Sequence, residues 1–409
     1  MMKLSCKIFL LVALIFSLFL LCGCWDKNEP EELAIVVAGG YDYNPENDMY
    51  KIILQVENPM ITAAASGESG SGDKPAFWNI SAWGHTPVDA IANIRKQISR
   101  KIYYSHLHLL IISDKLASTR GVITVMDTLA RSRQSRPLLY IAVTSSDVED
   151  ILSVEFPIEL TNAQGLLNMI NITNTELGTA IIQEGRQFLN KLSQPGIEPV
   201  AIYLEYTGDL EGEELKPDSP PQVKMAGLVA FSDNKMCGIL NDRETRGYSW
   251  FRDQENQAII NINYPEDIEN TPPQVKTHLT LFTIRESYKI TPYFKKNGEP
   301  AIRAEFKVSG NIISATGEVD FKEMSPLFQS MENQFAEVVR NDINMALQKA
   351  QSLKSDIFGF GNAFYRQHYQ KWLEMKEDWP ELFAQLPVEV DVRATIKRTG
   401  LINRGIKNR

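Results

Sequence analysis

Two histidines, His106 and His108, stand two apart in a segment, residues 104–112, that reads as a β-strand. On a strand that spacing puts both imidazoles on one face, which is half of a metal site. The remaining ligands would have to come from elsewhere, and no nearby Cys or second His pair offers them. Two ordinary strand histidines are the simpler reading, and neither a metal nor a cofactor is expected. Ser-His-Asp chemistry can be drawn from any chain with five histidines, but no Gly-x-Ser-x-Gly elbow anchors it here. Gly359-Phe360-Gly361 follows a predicted helix, whereas a nucleotide-binding glycine loop follows a strand. These glycines fit a tight helix-to-helix turn with positive φ. Cys237 reads as a small core hydrophobe. No catalytic residue emerges, and the chain is expected not to be an enzyme.

Covalent chemistry is specified at one place, Cys24. Lys3 and Lys7 form a positive start, and residues 8–21 are apolar except for Ser17. That run has the length of a signal-peptide core and falls short of the ~20 residues that span a bilayer as a helix. It ends in Leu21-Cys22-Gly23-Cys24, which resembles a bacterial lipobox, with Cys22 where that pattern more often has Ala, Ser, Thr or Val. Cleavage then leaves Cys24 as a diacylglyceryl-bearing N-terminus. Two acyl chains anchor stably where one binds only marginally. An uncleaved apolar anchor is the competing reading. Trp25 suits the interfacial zone or packs onto the folded body.

Composition narrows the class further. The formal net charge is −9, and the leader removes two lysines, so the mature chain is more acidic still. That argues against nucleic-acid binding. Arg95, Lys96, Arg100 and Lys101, with Arg131, Arg133 and Arg136, are the one basic concentration. They could face anionic headgroups or be solvated helix ends and loops, the simpler reading. After cleavage and lipidation only Cys237 keeps a free thiol, so no intrachain disulfide is available. Stability must come from an apolar core, which 44% hydrophobic content supports.

The elements that must position these residues alternate. A signal peptide (residues 1–23) and a short tether (24–33) precede an N-terminal α/β unit (34–207). Within it, residues 34–42, 50–56, 77–80, 138–144 and 200–206 read as strands. A small-residue loop is expected at 63–73. Thr86-Pro87-Val88-Asp89 opens a helix with N-cap, first-turn Pro and capping box, its apolar face being Val88, Ile91, Ile94 and Ile98. Helices are also expected at 123–130 and 177–192. Residues 208–221 form an acidic, Pro-rich linker including Glu211, Glu213 and Glu214. The C-terminal unit (222–400) opens with a hairpin at 226–240. Longer strands at 277–290 and 301–308 and a long helix at 325–354 follow. Its stripe is Phe328, Met331, Phe335, Val338, Val339, Ala346, Ala350 and Leu353. A second helix (363–376) and a period-two strand from Val388 to Ile396 follow. A basic tail (401–409) closes the chain. The class is α+β or mixed α/β, multidomain, with mixed sheets packed by helices and an antiparallel C-terminal sheet.

Several stretches together resemble the Ger(x)C family of spore-germination lipoproteins, the C subunits of nutrient germinant receptors. They are Gly23-Cys24-Trp25-Asp26 with Gly40-Tyr41-Asp42, then Phe77-Trp78-Asn79-Ile80-Ser81, Gly84-His85-Thr86 and Tyr104-Ser105-His106-Leu107. Most specific is Asp356-Ile357-Phe358-Gly359-Phe360-Gly361, followed by Trp372, Trp379 and Phe383. The resemblance implies a lipoprotein on the outer face of the cell membrane, the inner membrane of the spore. It implies A and B membrane subunits as partners, a role in triggering germination by small nutrients, and no enzymatic activity. Whether such a subunit touches the nutrient stays open. The competing class is the extracytoplasmic solute-binding lipoprotein of a transporter, which needs two similar lobes around a cleft; the two halves here have unlike element order.

Overall fold

The computed structural model describes residues 32–58, 76–131, 138–179, 181–209, 222–252, 257–264, 277–316 and 325–398. The expected signal peptide, Cys24, Trp25, most of the tether, the loop at 63–73, Arg133, Arg136, most of the acidic linker and the tail lie outside these residues.

The first sheet has nine strands: β1 (Leu33–Asn44), β2 (Met49–Glu57), β3 (Phe77–Gly84), β4 (Lys101–Tyr103), β5 (Leu109–Ser113), β6 (Tyr140–Thr144), β7 (Val200–Tyr206), β8 (Val223–Ser232) and β9 (Lys235–Leu240). Their order is β3-β2-β1-β5-β6-β7-β8-β9, with β4 beside the start of β1. The centre, β1 through β7, is parallel and both flanks are antiparallel. The sequence dictates this. All of Leu-Leu-Ile-Ile-Ser in β5 is buried, as expected of a parallel strand covered on both faces. One face packs Ile94, Leu116, Met126 and Phe188 from helices Pro87–Arg95, Asp114–Thr119, Ile123–Arg131 and Gly185–Ser193. The other packs Ile151 and Leu166 from helices Val148–Ser153 and Asn162–Ile172.

The second sheet runs β10 (Gln257–Asn263), β11 (His278–Phe294), β12 (Pro300–Ala315), β13 (Val388–Arg398) in that order. It is antiparallel except that β13 lies parallel to β12, a departure from the all-antiparallel expectation. A parallel return needs a long crossover, and the helices between β12 and β13 supply it. Helix Ser325–Ser352 covers this sheet, setting Met331, Phe335, Val339, Ile343, Ala346 and Ala350 against Leu279, Leu281, Phe306 and Val308.

Several local expectations shift. β5 begins at Leu109, so His106 and His108 sit in the turn before it rather than on a strand. Thr86 caps its helix, accepting from Asp89 N at 3.1 Å, while the Asp89 carboxylate accepts from His85 N. That helix buries Pro87, Ala90 and Ile94 but leaves Val88 64% exposed. The expected helix at 177–192 starts only at Gly185, because Gly178 at φ 64° stops the preceding turn and Glu184 caps the new helix. The expected helix at 363–376 is two, Phe360–Gln367 and Tyr369–Met375, parted at His368 with φ −136°. The linker separates sequence but not sheets. β8 and β9 lie beyond it and still extend the first sheet, because the middle of β8 is buried against β7.

Candidate functional site

Past the long helix the chain reverses through Lys354 at φ 52° and enters Ser355-Asp356. Both are buried. Asp356 stands just ahead of helix Phe360–Gln367, whose first backbone N–H groups have no partner within the helix. Its carboxylate supplies one. Oδ1 accepts from Gly359 N at 2.8 Å and Phe360 N at 3.1 Å, and Oδ2 accepts from Gly361 N at 2.7 Å. The indole Nε1 of Trp379 donates a fourth bond to Oδ2 at 3.0 Å. Gly359 has φ 76°, as the expected turn required. Gly361 is helical, and its requirement is space: an added Cβ would lie 2.6 Å from Trp379 Nε1 and 2.8 Å from Gly196 Cα.

The motif is a joint between the two halves of the chain. Glu198 N donates to Asp356 O at 2.9 Å, and Asn362 N donates to Gly196 O at 2.7 Å. Asn362 Nδ2 adds a bond to Pro195 O. Residues 195–198 lead directly into β7. Ser355 Oγ donates to Phe231 O in β8. So the eight residues from Ser355 to Asn362 grip β8 and the segment that leads into β7, while Phe358 and Phe360 stack 5.3 Å apart and join the core of the second sheet.

The joint is electrostatically tense. Burial pushes the Asp356 carboxyl up to about 6, although its four donors pull it down. Glu198 is pushed up to about 8, chiefly by burial and also by Asp233 and Asp356, against a backbone bond from Asp233. Burial raises the Cys237 thiol to about 11, which leaves it protonated at neutral pH and a poor nucleophile. Its Sγ donates to Ala230 O.

The other sequence candidates are dispersed. The His106 and His108 rings are 6.4 Å apart, edge to face, and both residues are exposed. Among the described residues no group of three or more His, Cys, Asp or Glu is placed to hold a metal ion. Arg95, Lys96, Arg100 and Lys101 are exposed, and Lys101 lies opposite Leu33 at the start of β1. Arg131 pairs with Asp127 on its own helix. Among the described residues no helix is long and apolar enough to cross a membrane.

Sequence reasoning missed two buried polar groups and one half-buried lysine. Asp342, fully buried on the long helix, takes Arg243 at 3.3 Å and Arg246 at 2.7 Å. Gln55 in β2 donates to Leu152 O at 2.7 Å and accepts from Ala163 N at 2.9 Å, fastening two helices to the sheet. Lys191 donates to Tyr248 Oη at 3.2 Å. Only Asp342 had a signal, a carboxylate four residues from both Val338 and Ala346 on the apolar stripe.

Two family models match the chain. "Spore germination protein N-terminal domain" covers residues 26–206, and "Spore germination B3/ GerAC like, C-terminal" covers 226–400. Spore germination protein KC of Bacillus subtilis (strain 168) is 27% identical over 98% of this chain and 98% of its own length. Spore germination protein B3 of the same strain is 24% identical over 95% and 97%. A crystal structure of the GerBC protein superimposes with a TM-score of 0.50 at 17% identity, covering 88% of this chain and 97% of that one, and so shares the fold. With both halves matched in order and the Asp356–Gly361 motif at the joint between them, the chain belongs to the Ger(x)C family of spore-germination proteins.

Proposed function

We propose that this chain is the lipid-anchored C subunit of a nutrient germinant receptor. It is held at Cys24 on the outer face of the cell membrane, which becomes the inner membrane of the spore, and acts with A and B membrane subunits to trigger germination. The observation that carries this reading is the end-to-end match to proteins named for spore germination. The lipobox-like Leu21-Cys22-Gly23-Cys24 supports the anchor. Among the described residues no helix is long and apolar enough to cross a membrane.

Deleting the gene is expected to abolish germination on nutrients while leaving solute uptake by growing cells intact. An uptake defect with normal germination would overturn the reading in favour of a transporter lipoprotein. Cys24→Ala is expected to release the protein from membranes and reproduce the deletion. Mass spectrometry of the mature N-terminus decides the anchor: an unmodified Cys24 in a membrane-bound protein would count against it.

A further inference from the structure

A cleft of about 370 Å³ opens where helix Gly185–Ser193 meets the second half of the chain. Its polar floor is Lys191, Tyr248 and Arg252, and its apolar walls include Phe251, Tyr288 and Phe358. The Lys191 ammonium bonds the Tyr248 phenol at 3.2 Å, and Arg252, which reaches Ile182 O, lines the same cleft with its charge acting on that phenol. Two cations therefore line one small cleft beside the same phenol. Neither takes part in an ion pair with a carboxylate among the described residues; Asp253 and Glu255, just after Arg252 in sequence, lie outside them. The acidic group acting on Lys191 is Asp356, whose two oxygens already accept four donors.

We propose that this cleft binds a small organic carboxylate. A guanidinium and an ammonium lining one small cleft match a carboxylate's two oxygens. The aromatic walls would take the organic remainder; the Phe251 and Phe358 rings stand 4.6 Å apart as a continuous apolar surface. The volume falls at the lower end of small-molecule sites, roughly 300–1,000 Å³, and such sites favour junctions between domains. A bound carboxylate also resolves an electrostatic cost. Burial makes the Lys191 ammonium give up its proton more readily than usual, and the neighbouring Arg252 adds to that. A negative charge in the cleft would hold the proton in place. Gln187 and Asn190 stand at the lining with amides able to bond further polar groups of the ligand.

This inference does not depend on the receptor role, and binding to the isolated protein tests it. Calorimetry on the full-length chain in detergent would compare three probes: benzoate, benzamide and inorganic phosphate. Benzoate is expected to bind at least tenfold more tightly than either of the others. Lys191→Met and Arg252→Gln are each expected to weaken benzoate at least tenfold while unfolding remains cooperative. Equal binding of benzamide would overturn the need for charge, and equal binding of phosphate would overturn the organic class. Unchanged benzoate affinity in the variants would remove the site from this cleft. If Lys191→Met does not fold, Arg252→Gln decides the matter, because Arg252 lies at the partly exposed edge.

Discussion

Asp356 holds four hydrogen bonds on two oxygens, so a neutral isostere cannot replace it. An asparagine keeps one acceptor oxygen and turns an NH₂ toward two of the four donors. Each buried donor left without an acceptor costs about 1–3 kcal/mol. Asp356→Asn is therefore expected to lower stability by roughly 2–4 kcal/mol, read from denaturant unfolding; an unchanged midpoint would mean the carboxylate is not the fastener it looks to be. The same residue and Glu198 give the joint a pH dependence. Both carboxyls have folded values raised from the ordinary range, to about 6 and about 8. The folded state thus keeps protons that the unfolded state releases. The stability these groups contribute is present below about pH 4 and fades as pH rises through 6 and then 8. Glu198→Gln, which stays neutral, is expected to flatten the upper part of that decline. Thermal unfolding across pH 4–9 checks it, and a variant curve parallel to the parent's between pH 6 and 8 would refute the assignment.

Elements were legible in the sequence to the degree that one local pattern decided them. β13 alternates cleanly from Val388, and it is a strand with Val392 and Ile396 buried. The long helix announced itself by its stripe, and Met331, Phe335, Val339 and Ala350 are all fully buried. What local pattern could not carry was pairing over distance. Nothing within residues 226–240 says that they extend the first sheet across an acidic linker, because that depends on β7 offering an edge. The Lys191–Tyr248 contact likewise joins residues far apart in sequence. The Asp356 motif was readable as a turn, through its glycines, but not as a clamp on residues 195–198. Asp342 belongs to this scale, since it locks helix Asp242–Ser249 onto the long helix through Arg243 and Arg246. Arg246→Met leaves a fully buried carboxylate with only the more exposed Arg243, and is expected to cost about 3–5 kcal/mol. The double variant Asp342→Leu with Arg246→Met removes the buried charge as well and is expected to cost less than the single change. A double variant worse than the sum of its parts would show that packing, not charge, governs this contact.

At the scale of the whole molecule, Leu33 opens β1, an interior strand of the nine-stranded sheet, flanked by β2 and β5. Exposed Lys101 lies opposite Leu33, where β4 runs beside the first residues of β1; Arg95, Lys96 and Arg100, just before it in sequence, are also exposed. If Cys24 carries lipid, about ten residues separate the bilayer from the sheet, a reach of at most roughly 35 Å. A body held that close can meet short extracytoplasmic loops of multi-pass partners. A flexible Gly/Ser insertion of about thirty residues after Lys27 would let it wander, and effective concentration at the partner falls with linker length. Germination is expected to slow while lipidation and thermal unfolding stay as in the parent. The effect should be graded, because each doubling of a flexible linker costs only about 0.6 kcal/mol. A series of increasing insertions, scored by the rate of nutrient-triggered germination, tests this directly. Unchanged rates across the series would mean that tether length sets no position, and that contacts with the partner subunits alone fix this protein in place.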